Sequence, residues 1–145
     1  MAMDAPEVSV KDILEEANVG VFAAPSGWSL NIGRLPVTPE TAIACVVTGG
    51  QSPWPHLLLN FPSIQVLVRG AKNGYMTAQS KAREVVDTLL GIPVTTTAGG
   101  DKITGITQIG DVSFVGYDAS DCPMFSCNFS LIMEPQAGGH RSPIS

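Results

Sequence analysis

Three cysteines and two histidines are the side chains of this 145-residue chain best suited to nucleophilic or metal chemistry. A thiol or hydroxyl nucleophile needs a base within hydrogen-bond reach. His56 is the one histidine within the patterned part of the sequence, because His140 sits in a polar, Gly/Pro-rich C-terminal stretch. Cys122 and Cys127 are spaced C-x4-C, but no second pair exists to complete a metal set. Cys127 falls on the apolar side of an alternating segment and Cys45 inside an apolar run, so both read as core thiols. There is no G-x-S-x-G elbow. Gly49-Gly50 and Gly99-Gly100 do not fit the phosphate-loop pattern. Asp101, Asp111, Asp118 and Asp121 lack calcium-loop spacing and read as solvated turn residues. These patterns point away from an enzyme and call for neither cofactor nor metal.

Composition narrows the class further. The formal net charge is −5, and the one basic cluster, Arg69, Lys72, Lys81 and Arg83, reads as a solvated turn and helix face. A strongly basic nucleic-acid footprint is missing. Only 14% of residues are charged against 44% hydrophobic, which leaves apolar surface to hide and favours an assembly component. No run of 18 apolar residues marks a membrane span. The start, MAMDAPEVSV, lacks a basic-then-apolar leader pattern. The expectation is a single domain, folded in a cytoplasm, with reduced thiols.

The elements that must position these residues centre on 61–91. Ile64, Val66 and Val68 alternate with Gln65, Leu67 and Arg69, a strand period, with Pro62 just before it. Asn73 is placed to cap a helix whose Ala78, Ala82, Val85, Val86 and Leu89 form one apolar stripe. Gly91 is placed to end it in a left-handed turn, with Pro93 beyond. Upstream, Ser9 can cap a short helix over 10–17. Val19 to Phe22 read as a short strand or loop, residues 28–34 as a strand, and 41–48 as a strand covered on both faces. Downstream, 103–109 and 112–117 read as two strands joined by a tight turn at Gly110-Asp111. Phe125, Cys127, Phe129, Leu131 and Met133 mark the clearest strand.

Two segments stand out for contacts. The stretch 49–61 reads as a loop, yet Trp54, Leu57, Leu58 and Leu59 are apolar; they either cover an edge of the core or form a partner-binding arm. The Thr/Gly stretch 94–101, with Thr95, Thr96 and Thr97, reads as a hairpin or arm. These residues and Arg69 are the candidate assembly contacts. The fold class expected is α+β, a single mixed, mostly antiparallel sheet with two main helices packed on it. Residues 1–135 form the domain and 136–145 a disordered tail.

The run PSIQVLVRG (62–70), the helix after it, and SFVGYDASDCPMFSCNFSLIMEP (113–135) resemble the minor capsid and tail terminator proteins of long-tailed bacteriophages. The apolar strand ending in Thr48-Gly49-Gly50 and the Gly110-Asp111 pair before an aromatic strand fit the same pattern, over roughly 8–135. The resemblance implies a virion protein without catalytic residues, assembled in a host bacterial cytoplasm. It implies a homo-oligomeric, hexameric ring on the head-proximal end of the tail tube. Such a ring stops tube polymerisation and joins the tail to the head. Its partners would be itself, the tail tube protein and a head-side neck or stopper protein. Double-stranded DNA would pass through an acidic or neutral lumen without specific binding. Two alternatives stand beside this reading. One is another neck component, a head completion or head–tail adaptor protein. The other is a small-ligand binding module with Trp28, Trp54 and Tyr117 lining a pocket.

Overall fold

A computed structural model of the protein describes residues 6–54, 59–91, 95–96 and 102–134. Helices α1 (Pro6–Glu16) and α2 (Tyr75–Leu90) pack on one sheet. Its strands are β1 (Val21–Phe22), β2 (Ser29–Ile32), β3 (Ala42–Trp54), β4 (Leu59–Arg69), β5 (Thr95–Thr96), β6 (Lys102–Tyr117) and β7 (Pro123–Glu134). The order across the sheet is β1-β2-β3-β4-β7-β6-β5. The β1–β2 and β2–β3 pairs are parallel and the other four antiparallel. This is the mixed, mostly antiparallel α+β architecture expected from the pattern of alternation.

The core lies between the helices and one face of the sheet. β4 supplies Ile64, Val66 and Val68, and its neighbour β7 supplies Phe125, Cys127, Phe129, Leu131 and Met133. They meet the α2 stripe of Ala78, Ala82, Val85, Val86 and Leu89, all buried. Helix α1 seals the other side of this layer with Val10, Ile13 and Leu14 near Leu30 of β2 and Ile43 of β3. Each large aliphatic side chain buried here contributes about 1.5–3 kcal/mol. The first half of β3, Ala42 to Cys45, is buried on both faces, as its continuous apolar run predicts.

Several local expectations are corrected. Helix α1 starts at Pro6 rather than after Ser9, which is buried inside it; proline at a first helical position has no N–H to leave unpaired. The N-cap of α2 is Gly74, with no side-chain bond, while Asn73 takes a left-handed φ of 64° in the preceding turn. Gly91 is right-handed at φ −87° and donates its N–H to the Asp87 carbonyl, so it does not make the left-handed turn expected of it. Pro62 lies inside β4, opposite Gly50. The stretch read as a loop from 49 is largely strand: Gln51 pairs with Phe61 and Trp54 with Leu59. Gly49, at φ 95°, sits at a register shift, where a bulge absorbs a residue that a regular ladder would reject. Likewise 103–117 is one strand, with Gly110 at φ 72° in an irregularity between Ile109 and Ser113, where a turn was expected. The expected tail, 136–145, lies outside the described residues.

Candidate assembly surface

The cross-strand register brings two of the singled-out segments together. Trp54 faces Leu59 at the end of the β3–β4 hairpin. One residue on, Asn60 pairs with Met133 of β7, Met133 with Ile103 of β6, and Ile103 with Thr95 of β5. Thr96 follows, opposite Lys102. The hairpin and the threonine strand, with 36 positions between Leu59 and Thr95, therefore share one end of the sheet. Leu57, Leu58 and Thr97 lie outside the described residues.

Arg69 is at the opposite end and inside the protomer, 7% exposed. Its Nε donates to the Glu40 carbonyl at 2.8 Å, and its Nη2 to the carbonyls of Pro36 at 2.6 Å and Pro39 at 2.8 Å. Its Nη1 lies 3.9 Å from the Asp118 carboxylate. A planar guanidinium offers five donors in a fixed fork, which suits a turn of converging carbonyls. Its work is to hold the 33–41 connection against the sheet rather than to present a charge to a partner. Asp118 completes the lock: its Oδ1 accepts from the backbone N–H groups of Cys122 and Ser120. The Cys122 bond, then that of Ser120 and the charge of Arg69, hold this carboxyl below its ordinary value. Cys122 is buried in the same lock and donates from Sγ to Glu40 Oε2 at 3.3 Å.

Two of the other basic residues are held in pairs of their own. Lys81 Nζ reaches Glu84 at 2.8 Å and the Val19 carbonyl at 3.2 Å, and lies over the Trp28 ring. Arg83 pairs with Asp111 at 2.9 Å. In the middle of the sheet face turned away from the helices, β4 and β7 carry the uncharged Ser63, Gln65, Leu67, Ser126, Asn128 and Ser130, with Arg69 and Glu134 at its two ends. Gln65 Nε2 donates to Ser126 Oγ at 3.0 Å across the two strands.

Reactive chemistry finds little to work with. All three cysteines are free and buried. Burial pushes the Cys45 and Cys127 thiols up to about 12 and is also the main reason that Cys122 rises to about 11. A protonated, buried thiol is neither nucleophile nor metal ligand. Among the described residues, no three His, Cys, Asp or Glu side chains gather as a metal site, and no helix is long and apolar enough to cross a membrane. His56 and His140 lie outside the described residues. Trp28 leads into β2 beside β1, and Tyr117 ends β6 on the far side of the sheet, so these two do not line a common pocket.

A further apolar surface was not singled out from sequence. Phe114, Val115 and Tyr117 of β6 are exposed although they flank the core. The Tyr75 ring lies 5.2 Å from Phe114 and 5.0 Å from Phe125, and the Tyr117 ring 5.3 Å from Phe114, in edge-on geometries. On the other side of the sheet, Val21 and Phe22 are exposed in β1. The sequence did carry a signal: 112–117 holds apolar residues at both parities, more than a strand with one buried face requires.

No family model and no curated protein matches this chain. Sixteen chains of solved structures do. One comes from a structure described as the virion of a native gene transfer agent particle. It aligns with a TM-score of 0.62 and 16% sequence identity, over 90% of this chain and 95% of that one. The likeness shows a shared fold over nearly the whole of both chains.

Proposed function

We propose that this chain is a structural protein of a tailed, phage-like virion. Its role would be that of a tail terminator: a ring of identical subunits at the head-proximal end of the tail tube that stops tube growth and joins tail to head. The observation that carries the proposal is the end-to-end likeness of fold to a chain of a gene transfer agent virion. The motifs that resemble tail terminators fall on its central elements β4, α2 and β7.

The surfaces described above support a part made for assembly. The end of the sheet that carries Trp54, Leu59, Thr95 and Thr96 is the proposed contact with the tube or the neck. The uncharged middle of that face of β4 and β7 suits a wall past which DNA slides, because phosphate binding depends on Lys and Arg. The buried, protonated thiols and the paired Lys81 and Arg83 fit a structural role.

The test is electron microscopy of particles made after deletion of the gene. Tails of uncontrolled length beside separate, DNA-filled heads are the expected result. Tails of normal length that fail to join heads would move the assignment to a head completion or adaptor protein. Normal infectious particles would overturn the virion reading.

A further inference from the structure

Asn73 and Gly74 answer two requirements of one turn, the turn just before α2. Asn73 sits at φ 64°, in the left-handed region that asparagine tolerates better than most side chains. Gly74 donates its N–H to the Ala71 carbonyl at 2.8 Å and closes the turn. The closure is tight: a Cβ at position 74 would lie 2.9 Å from that carbonyl oxygen. The turn therefore calls for asparagine followed by glycine, and it leaves the Asn73 side chain exposed.

That dipeptide is chemically weak. The backbone nitrogen after an asparagine can attack the side-chain amide carbon, and glycine offers that nitrogen with no Cβ beside it. Asn18 supplies the contrast. It too is exposed and left-handed, at φ 61°, but Val19 follows it, 2% exposed and β-branched. The Val19 N–H is donated to the Leu14 carbonyl at 3.0 Å, and its own side chain shields the nitrogen. The other three asparagines, Asn31, Asn60 and Asn128, precede Ile32, Phe61 and Phe129 within strands.

We propose that Asn73 is a site of spontaneous modification, at which the side-chain amide becomes a carboxylate. The Gly74 nitrogen, having lost its proton, bonds to Asn73 Cγ. The Cγ–Nδ2 bond breaks, and the leaving nitrogen takes up a proton and departs as ammonia. Water then opens the succinimide ring. Cleavage at Cγ gives aspartate, and cleavage at the main-chain carbonyl gives isoaspartate. Water is the one co-reactant, and nothing is oxidised or reduced. The Ala71 bond sets the pace, because the Gly74 N–H must leave it before the nitrogen reacts. Conversion is slow in the closed turn and fast once the turn opens.

The new charge falls at a defined place. Asn73 lines an open cleft of about 460 Å³ with Lys72, Tyr75, Tyr117 and Asp121, so conversion adds a carboxylate to a cleft that already holds one. It also sets a negative charge just before α2, whose first turn has no acidic residue and whose N-cap makes no side-chain bond. Aspartate suits that positive helix end. Isoaspartate instead lengthens the main chain inside the closed turn and breaks the Ala71 bond.

The experiment follows the full chain by mass spectrometry of its tryptic peptides during storage at mildly alkaline pH, folded and in urea. Fragmentation places the amide-to-acid mass gain at a residue and separates aspartate from isoaspartate. The expected result is conversion at residue 73 in both samples, several-fold faster in urea, while Asn18 stays intact in the folded one. In urea, where folding plays no part, Gly74→Ala should slow conversion several-fold. Asn73 still intact in the folded chain long after the urea sample has fully converted would overturn the proposal. So would a folded rate equal to the rate in urea, which would mean that the turn restrains nothing. Conversion at Asn18 ahead of Asn73, or an unchanged rate for Gly74→Ala in urea, would overturn it as well, by removing the role given to the glycine nitrogen.

Discussion

The two faces of the central strand pair, β4 and β7, share a backbone and almost nothing else. Toward the helices they present Ile64, Val66, Val68, Phe125 and Phe129, all sealed. Away from the helices they present Ser63, Gln65, Ser126, Asn128 and Ser130, joined by weak side-chain bonds such as Gln65 to Ser126. The apolar core therefore lies on one face, while the middle of the other carries uncharged polar residues, of which Ser126 is also buried. The most direct way to break this contrast is Val85→Asp in α2. A carboxylate placed in the buried apolar cluster to which Val85 belongs has no partner, so the cost should exceed about 4 kcal/mol. Urea unfolding checks it: a variant as stable as the parent would mean that the stripe is not core and the contrast is false.

One corner of the polar face is locked, and Arg69 locks it. Arg69→Met keeps the side-chain volume but leaves the carbonyls of Pro36, Pro39 and Glu40 without their donor. Hydrogen bonds to a charged group are worth about 1.5–3 kcal/mol each, and the freed carbonyls regain water, so a net loss of about 2–3 kcal/mol is expected. The sharper readout is hydrogen exchange. Amides of 34–41 should lose protection while those of α2 keep theirs. Uniform loss over both would place Arg69 with the core instead of with the connection it holds.

The thiols of the sealed face add a pH signature. Burial raises Cys45 and Cys127 from the ordinary 9.0 to about 12 in the folded chain. Below 9.0 both folded and unfolded chains keep these protons, and the stability associated with them is fully present. Above it the unfolded chain releases protons that the folded chain retains, so stability falls as pH rises from 9.0 toward about 12. Urea midpoints on either side of pH 9 should show the decline, and Cys127→Ala should make it shallower. An unchanged slope in that variant would show that the Cys127 proton plays no part.

How much of this was legible in sequence follows from what carries each feature. The α2 stripe and the β4 and β7 alternations were readable because a single periodicity decides which side faces the core. The β3–β4 hairpin was under-read because Gly49, Gly50 and Pro62 signal a loop in isolation, whereas the structure places Gly49 at a bulge and pairs Gly50 with Pro62. Gly110-Asp111 misled for the same reason, as a local turn signal that the strand absorbs. Arg69 was read as surface because charge usually is; its burial depends on a connection folding back from 33–41, which no local pattern announces. The convergence of Leu59 and Thr95 on one end exists only through strand order. For the proposed contact surface the sequence held the residue types but not their placement.

The smallest expected effect is the finest test of the two-face contrast. Asn128 lies on the polar face, and its Nδ2 reaches Ser126 Oγ only at 3.4 Å, a weak bond. Gln65 already donates to that hydroxyl from the other side at 3.0 Å. Asn128→Ala therefore removes a redundant donor from a partly buried site, and the urea-derived stability should move by no more than about 0.5 kcal/mol. The neighbouring Phe129, one residue along the same strand and fully buried, should cost about 3–5 kcal/mol on truncation to alanine. The ratio between adjacent positions is what a one-sided core predicts. If the two changes cost the same, the polar face would be as structural as the sealed one, and the neutral strip would lose its standing as surface free for assembly.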